Sequence, residues 1–555
     1  MKKKLVFFGL LSLVTIVGIT FLGCKKIKPL DGVVEIVDAT FSKTSVSFQF
    51  VDAKTGIQLD LDGSRDIAIS ITGQNAADVV NNFAGTQIGA DFGVMAVSLQ
   101  QGVVPSTSNQ VIFTVHAETS GYLAASKTCV ILQEGHQHYV IEMVNAADAP
   151  DGITVAEDII SAVPSTGVIS STFTSSPAAL TASGTTVSLT IPSGTKMMDK
   201  NSVAVPGNLT TTLAYSNPNE TNFAMQFPGD PNKSQLSNGD YVAFKSMGVV
   251  TIDVKNISNG CEVKNFDAPV QMTMEIPNGM TDISGAAVVA GSTFGVYSYS
   301  ETTGKWTHES DEIVTLNGTS GKLEVTFDMI HLSTWQIAGK VTTSNYYYYN
   351  QIVFSGSCAN YFNTQKDIML EFDNGDFIEY QELANTTLNK TISIVCSQPN
   401  LQSIYPNCKF RWYKKSNPSN FVEANGNNNQ PLQTVTLPSS WCPSVTPKEF
   451  TVKLTTNCPD NPTRQIKPQC TVFAWSEDLA EFKLIGQMTA GELKTTTANF
   501  DVSKKYALVT FYQNKLVALT GTLAGFDLGF RTIDGNDIDL SRPLTSLECT
   551  YLKTK

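Results

Sequence analysis

The alternation of apolar and polar residues with a period of two is the feature that most constrains this sequence. It recurs along the chain, for example at 45–51, 187–191 and 450–454. A strand with one buried face has this period, and Gly, Asn, Asp and Pro residues separate the segments as turns do. The pattern predicts an all-β protein built from several β-sandwich domains in tandem. Helical periodicity is weak, with short candidates at 75–82 and 155–163.

The composition is that of a folded protein without a nucleic-acid partner. The 555 residues are 42% hydrophobic and 16% charged, which is too apolar for a disordered chain and enough for about three to five domains. Acidic residues (50) outnumber Lys and Arg (38), giving a formal net charge of −12. Because binding a phosphate backbone requires clustered positive charge, no nucleic-acid binding is predicted.

The N-terminal residues have the pattern of an export signal. Three lysines at 2–4 precede an uncharged apolar run over 5–23, which ends at Cys24. The end of this run resembles the lipobox of bacterial lipoproteins, in which the cysteine receives diacylglycerol and becomes the first residue after cleavage. The resemblance implies a signal peptide over 1–23 and lipidation at Cys24, which makes the membrane a partner through a lipid anchor. The alternative is an uncleaved signal-anchor helix, which also tethers the chain.

The residues after Cys24 bear on the compartment. Lys25, Lys26 and Lys28 form a basic cluster that suits anionic lipid headgroups. The loose lipobox and the Thr-, Ser- and Asn-rich β composition resemble lipoproteins of the Bacteroidetes group, many of which reach the cell surface through an acidic run after the cysteine. The sequence lacks that run. We therefore favour the periplasmic face of the outer membrane over the cell surface.

Composition shifts and turn-rich stretches divide the chain. Behind the signal peptide we predict four β domains, with a tether before the first and a linker after it. Small and turn residues mark the linker, and tyrosines and cysteines set the third domain apart. The predicted bounds are tether 24–33, first sandwich 34–146, linker 147–167, second sandwich 168–340, cysteine-containing β domain 341–449 and C-terminal sandwich 450–555.

The cysteines indicate an oxidising compartment. Seven of the ten lie in the last 200 residues of the chain, and none has the close spacing of a metal site. We therefore predict disulfides there. Cys129, in a predicted strand and followed by apolar Val130 and Ile131, is the predicted buried thiol. The seven C-terminal cysteines are Cys358, Cys396, Cys408, Cys442, Cys458, Cys470 and Cys549.

Two short motifs in the first domain are ordered as in a known family. Residues 52–59 include an Asp-x-x-Thr-Gly turn, and Gly121-Tyr122 is followed by two predicted strands. This order resembles the carboxypeptidase-regulatory-like, prealbumin-type domain. The resemblance implies a spacer or presentation module without catalytic residues.

The second domain carries an ordered set of motifs. Ile-Pro-x-Gly occurs at 191–194 and 276–279, a Gly-x-Trp hairpin at 304–306, and His-Leu-Ser-Thr-Trp at 331–335. The set resembles the tandem β-sandwich of ankyrins, netrin receptors and a self-cleaving death-domain adaptor. It is also similar to the autoproteolysis domain of adhesion receptors.

The second resemblance implies a reaction at His331 and Ser333. In self-cleaving relatives the histidine takes the hydroxyl proton and the oxygen attacks the preceding carbonyl carbon, so the chain would break between Leu332 and Ser333. The alternative is a structural role, in which His331 hydrogen-bonds across strands while Leu332 and Trp335 pack. Self-cleavage would be the one enzymatic activity, because the sequence has no hydrolase, phosphate-binding or nucleotide-binding motif.

Other candidate sites are interpreted as turns. We assign His136 and His138 to an exposed turn after Gly135 and not to a metal site, and the Asp-rich segments 60–66 and 534–539 to Asp-Gly turns and not to calcium loops. No metal or cofactor is predicted.

These observations favour an anchored β-sandwich protein of the cell envelope with a binding, presentation or structural role. The alternatives are a self-processing envelope protein and a glycan-binding surface lipoprotein. The partner would be an envelope protein or a glycan. Cys396 and Trp412 have roughly the spacing of an Ig-like core pair, which favours Ig-like packing of the third domain. The candidate contact aromatics, which core packing would also explain, are Tyr346, Tyr347, Tyr348, Tyr349, Trp412 and Trp441.

Overall fold

The computed structural model describes residues 35–39, 43–343 and 448–546 with short gaps, and the strands between 348 and 441. The gaps fall at 62, 82–87, 107, 221–222, 224–226, 230–233, 477–480, 498–499, 502, 513–514 and 521–528. The described residues between 348 and 441 are 348–355, 368–373, 378–382, 392–396, 409–414, 417–425, 432–436 and 438–441. Strands dominate these residues, so the predicted all-β fold is confirmed. Among the described residues, the helical elements with defined bounds are two short 3-10 helices, Ala76–Asp78 and Ser439–Trp441.

The N-terminal sandwich has two sheets. One has the order β4-β5-β2-β8, with β2 and β8 parallel, and the other has the antiparallel order β3-β6-β7. Every second residue of β2 (Val46, Phe48 and Phe50) belongs to a core shared with Phe113 and Val115 of β6. The strands are β2 (Thr44–Asp52), β3 (Ala68–Thr72), β4 (Val79–Asn81), β5 (Val94–Leu99), β6 (Val111–Glu118), β7 (Ala125–Ile131) and β8 (Gly135–Met143).

The Asp-x-x-Thr-Gly turn of this sandwich forms as predicted and lies beside the Gly-Tyr motif. The N–H of Gly56, whose φ is +67°, donates to the Asp52 carbonyl at 2.8 Å, and Asp52 Oδ1 accepts from the backbone N–H of Thr55 at 2.8 Å. The hydroxyl of Tyr122 donates to Asp52 Oδ2 at 3.2 Å. Two motifs that are far apart in the sequence thus form one local structure.

The middle sandwich is the largest unit. One sheet has the order β10-β11-β16-β20-β19 with β12 beside β16, and the other has β18-β17-β21-β15-β13-β9 with β14 beside β15. Leu189 and Met272 of the first sheet share a core with Leu213, Val250 and Ile337 of the second. The strands are β9 (Ile153–Val163), β10 (Phe173–Ser175), β11 (Val187–Ile191), β12 (Met197–Met198), β13 (Gly207–Ser216), β14 (Ser234–Gln235), β15 (Tyr241–Asn256), β16 (Asn265–Glu275), β17 (Thr293–Ser300), β18 (Lys305–Ile313), β19 (Thr315–Leu316), β20 (Leu323–His331) and β21 (Thr334–Thr343).

The third unit is described only in part. Its sheets have the orders β25-β22-β28 and β24-β23-β26-β27. Trp412 and Trp441 are buried, so both belong to the packing and not to a contact surface. The strands are β22 (Tyr348–Ser355), β23 (Ile368–Asp373), β24 (Ile378–Glu382), β25 (Ile392–Cys396), β26 (Lys409–Lys414), β27 (Asn417–Asn425) and β28 (Leu432–Thr436).

The C-terminal unit packs the sheet β34-β29-β38 against β33-β32-β35-β36, with β37 beside β35. Its core joins Phe450 and Val452 of β29 to Val472 of β32 and Leu508 of β35. β35 and β36 pair as an antiparallel hairpin. The strands are β29 (Glu449–Lys453), β30 (Thr456–Cys458), β31 (Asn461–Pro468), β32 (Cys470–Ser476), β33 (Glu481–Met488), β34 (Glu492–Thr496), β35 (Lys505–Tyr512), β36 (Lys515–Ala518), β37 (Arg531–Thr532), β38 (Ile538–Asp539) and β39 (Arg542–Pro543).

The first strand of the chain, β1 (Glu35–Ala39), pairs with the C-terminal unit. It lies parallel to β31 in a sheet of order β1-β31-β30-β39. The register sets Glu35 opposite Arg464 and Asp38 opposite Lys467. The predicted first sandwich (34–146) is therefore corrected, because its sheets begin with β2.

The predicted linker (147–167) and both predicted helices also need correction. Residues 153–163 form β9, which pairs with β13 along its length. Ile and Val side chains are frequent in this segment and favour a strand over a helix. Residues 75–82 contain a single 3-10 turn followed by β4.

The N-terminal sandwich is covered on both faces. β2 is buried at all nine positions and β5 at all six, whereas a sheet with one solvated face would be exposed at every second residue. In β5, Met95 and Val97 face the core of the sandwich, while Val94 and Ala96 pack with Phe473 of the C-terminal unit. The other sheet meets the middle sandwich through an apolar group formed by Val130, Leu132 and Tyr241. The N-terminal sandwich thus lies between two other units.

Candidate functional site

His331 and Ser333, the predicted catalytic pair, lie at the connection between β20 and β21. The His331 ring packs against Trp335, with 4.8 Å between ring centroids, and its Nε2 is 3.4 Å from Glu309 Oε1. Glu309 Oε1 also accepts a hydrogen bond from Ser298 Oγ at 2.6 Å. These contacts hold the imidazole on the sheet beside a carboxylate.

The Ser333 hydroxyl is directed elsewhere. It is buried and donates to the carbonyl oxygen of Tyr299. The backbone around it is held on both sides, since Leu332 N–H donates to the Lys264 carbonyl at 2.9 Å and the Ser333 carbonyl accepts from Ile252 N–H at 3.3 Å.

The arrangement does not join the predicted base to the predicted nucleophile. No hydrogen bond links His331 to Ser333, and residues 331–333 have no positive φ in the described chain. Attack on the preceding carbonyl would require the hydroxyl to leave Tyr299 and a strained backbone to favour the reaction. Self-cleavage before Ser333 stays a prediction, and the observed contacts are those of the structural alternative.

A group of ionisable side chains lies where the N-terminal and middle sandwiches meet. In this charged interface cluster, His116 Nε2 is 3.0 Å from Glu118 Oε1, and His116 Nδ1 is 2.8 Å from Ser126 Oγ. From the middle sandwich, Lys264 Nζ is 2.9 Å from Glu262 Oε2. The members of the cluster are His116, Glu118, Lys255, Glu262, Lys264 and Glu301.

The cluster perturbs the acidity of its carboxyl groups in opposite directions. The hydrogen bond from His116 lowers the pKa of Glu118, and Lys255 and Lys264 of the middle sandwich lower it further. Burial raises the pKa of Glu301, and Lys264 and His116 oppose that rise only in part. The carboxylates are therefore stabilised unequally, and Glu301 is the one that the interface disfavours in its charged form.

A narrow uncharged cleft adjoins this cluster. It holds about 390 Å³ of space, including its open mouth, and its walls include Thr128 and Gly229. The Tyr241 hydroxyl donates to Gln74 Oε1 at 2.9 Å across the two sandwiches. Trp306, which lines the cleft, is almost fully buried, so its ring serves packing more than ligand contact.

The opposite face of the N-terminal sandwich carries a buried polar seam. Ser45 Oγ is 2.9 Å from His136 Nδ1, and Ser47 Oγ is 2.7 Å from His138 Nδ1. Thr471 of the C-terminal unit lies 3.4 Å from His136 Nδ1. The interpretation of this histidine pair as an exposed turn is wrong, because both residues lie on β8 and parallel pairing with β2 sets them opposite the two serines.

Two glutamines complete the seam by binding the backbone of Phe482, a residue of the C-terminal unit. Gln49 Nε2 donates to the Phe482 carbonyl at 3.0 Å, and Gln58 Oε1 accepts from the Phe482 N–H at 3.1 Å. Gln49 Nε2 also donates to Gln58 Oε1 at 2.6 Å. A strand of the C-terminal unit is thereby fixed to the N-terminal sandwich by side chains that the sequence pattern had placed on a solvated face.

The predicted thiols and disulfides are partly described. Cys129 is a buried thiol, as predicted, and Cys458 forms a disulfide. Cys470 is a thiol and not a disulfide partner, and burial raises its pKa to about 11. This corrects its assignment to a disulfide-bonded group. Cys24 lies outside the described residues, as do Tyr346 and Tyr347.

The structure was also searched for metal sites and membrane-spanning helices. Within the described part of the chain, no three His, Cys, Asp or Glu residues are grouped as metal ligands. The Asp-rich segments form turns, since Asp534 Oδ1 accepts from Asn536 N–H at 3.0 Å and Asp60 Oδ1 accepts from Arg65 N–H at 2.6 Å. No helix among the described residues has the length and apolarity needed to cross a bilayer.

Comparisons with known proteins give no family. Neither a protein-family model nor a curated protein matches the sequence. Among solved structures, the major pilin subunit BcpA of Bacillus cereus aligns over 90% of this chain and 98% of its own, with 9% identity and a TM-score of 0.13. The full-length major pilin SpaD of Corynebacterium diphtheriae aligns over 91% and 98%, with 9% identity and a TM-score of 0.14. TM-scores this low carry no functional inference.

Proposed function

We propose that this protein is a lipid-anchored, multi-domain β-sandwich protein of a bacterial cell envelope with a structural or presenting role. The observation that carries the proposal is the position of the N-terminal sandwich, which is buried on one face by the middle sandwich and on the other by the C-terminal unit. A module enclosed in this way is suited to holding its neighbours in a fixed arrangement. Its partner would be another envelope protein or a glycan, bound by a neighbouring unit.

The polarity of both interfaces supports this role. Interfaces between domains that remain together need satisfied polar groups, and here Gln49 and Gln58 bind the Phe482 backbone. On the other side Tyr241 bonds Gln74. Such pairing fixes orientation, since a displaced unit would leave buried polar groups without partners.

The anchor rests on the sequence. The basic residues at 2–4, the apolar run over 5–23 and Cys24 follow the order of a lipoprotein signal. The outer membrane, with the periplasmic face favoured over the cell surface, is the proposed location, because no acidic run follows Cys24.

Metabolic labelling with a fatty-acid probe tests the anchor. We expect the wild-type protein to carry the label in the membrane fraction and Cys24→Ala to lose it. Cys261→Ala is the matched control, because Cys261 is a partly exposed thiol of the middle sandwich, and this variant should keep the label. Equal labelling of Cys24→Ala and wild type would remove the lipoprotein proposal.

A further inference from the structure

The pairing of β1 connects the predicted anchor to the C-terminal unit. β1 begins at Glu35, so eleven residue steps separate it from Cys24. A fully extended chain of this length spans at most about 40 Å. That reach is comparable with the width of one small domain, for which the radius of gyration is about 13 Å at 100 residues. The sheet that contains β1 therefore stays within about one domain width of the anchoring cysteine.

Parallel pairing also decides which end of the sheet receives the tether. Glu35, the first residue of β1, is paired with Arg464 near the start of β31, and Ala39 is paired with Pro468 at its end. The turn at 459–460 joins β30 to β31, so it lies at the end where the tether enters. The turn that contains Ala490 lies at the other end, because the Gly491 N–H donates to the Pro468 carbonyl at 2.9 Å.

We propose that the end of the β1-β31-β30-β39 sheet that carries the 459–460 turn faces the lipid bilayer. The inference rests on the proposed lipidation of Cys24. The tether carries three lysines, Lys25, Lys26 and Lys28, directly after the anchor, and positive charge there favours contact with anionic headgroups. The C-terminal unit is then membrane-proximal, although of the four units it is the one farthest from Cys24 along the sequence.

Lipid photocrosslinking tests this orientation on the full-length, lipidated protein. A benzophenone amino acid is placed at Pro459 or at Ala490, both exposed turn positions, and the protein is reconstituted in vesicles of phosphatidylethanolamine and phosphatidylglycerol that contain an alkyne-tagged lipid. After irradiation we expect several-fold more lipid adduct at 459 than at 490. Equal adducts, an excess at 490 or adducts at neither position would overturn the orientation.

Two controls separate this inference from the anchor itself. Fatty-acid labelling of the same preparations reports lipidation directly, so loss of the label indicates failure of the anchor, and a retained label with no preference for 459 indicates failure of the orientation. A Gly/Ser segment of about 30 residues inserted after Lys28 releases the body from the short tether. We expect this insertion to abolish the preference for 459, and a preference that persists would show that the tether does not set the orientation.

Discussion

Single polar residues decide how the units of this protein meet. Gln49 and Gln58 together occupy both hydrogen-bonding groups of the Phe482 backbone. Their amides take the place of water around the Phe482 backbone, although Gln49 Oε1 is buried without a hydrogen-bond partner among the described residues. His116 has a similar place on the opposite sheet, where it lies between Glu118 and Ser126.

Glu301 allows a prediction about pH. Burial raises its pKa above the usual value of 4.5, so the charged carboxylate is less favourable in the folded protein than in the unfolded chain. A raised folded-state pKa contributes stability that is fully present below about pH 4.5 and is lost as the pH rises through the folded value. Glu301→Gln, a neutral replacement, should therefore be more stable than wild type at pH 8, and the difference should disappear near pH 4.

The measurement is chemical denaturation of both proteins across this pH range. The other titratable groups of the cluster are His116, Glu118, Lys255, Glu262 and Lys264, and they remain in both proteins. Glu118→Gln is the opposite control, because the pKa of Glu118 is lowered and its charge contributes stability that is fully present above about pH 4.5 and is lost as the pH falls through the folded value. A variant Glu301→Gln that loses stability at pH 8 would contradict the assignment of Glu301 as the disfavoured charge.

At the scale of elements, the sequence pattern predicts strands well and their surroundings poorly. The alternation in β11 matches its burial, with Val187, Leu189 and Ile191 buried and the residues between them partly exposed. β2 has the same alternation in sequence, yet all its positions are buried. The period of two indicates which residues face the core. It does not indicate whether water or another domain covers the polar face.

The prediction of candidate site residues from sequence is limited in the same way. The motif at 331–335 identified a His and a Ser that the fold places on adjacent strand ends, but sequence carries no information about the Tyr299 carbonyl that binds the Ser333 hydroxyl. The charged interface cluster and the polar seam combine residues from distant parts of the chain. Such groups form only after the sheets have assembled, so spacing along the sequence gives no signal for them.

The turn between residues 91 and 94 depends on glycine. Gly93 has a φ of +67°, and a Cβ there would lie 1.9 Å from the Leu59 carbonyl oxygen. Gly93→Ala should destabilise the protein by about 3 kcal/mol or more, because a left-handed backbone and a clash with main chain coincide. Thermal denaturation measures the effect.

Gly102→Ala is the matched control for this substitution. Gly102 also has a positive φ, of +93°, but nothing lies within 4 Å of the added Cβ. Gly102→Ala should therefore destabilise the protein only by the cost of the left-handed backbone, about 1–2 kcal/mol. Equal losses for the two variants would show that the contact with Leu59 adds nothing.

At the scale of the whole molecule, units that are distant in sequence form a layered body. The middle and C-terminal units both pack on the N-terminal sandwich, so an interface residue of one unit should affect the dynamics of another. Phe473 lies on the outer face of its sheet and packs with Val94 and Ala96 of β5.

Phe473→Ala should therefore loosen β5 as well as the C-terminal unit. Truncating a buried phenylalanine to alanine lowers the free energy of unfolding by about 3–5 kcal/mol. Here part of that loss comes from the interface between β5 and the C-terminal unit. Hydrogen exchange measures it, and we expect faster exchange of the β5 amides under conditions in which the C-terminal unit stays folded.

Phe450→Ala is the matched control. It is the same substitution, but Phe450 is buried in the core of the C-terminal unit. It should destabilise that unit while β5 exchanges as in wild type. Unchanged β5 exchange in Phe473→Ala would mean that the two units do not stabilise each other.

The pairing of β1 with β31 also sets an order of events in time. β1 is synthesised before β31, and residue 35 can meet its partner only when residue 464 has been synthesised. Closing so long a loop delays the pairing relative to the local hairpins. Until then β1 is an unpaired edge, and β31 of a neighbouring molecule offers the same partner. Crowding of nascent molecules at the membrane would therefore select between a closed monomer and a strand-exchanged chain of subunits.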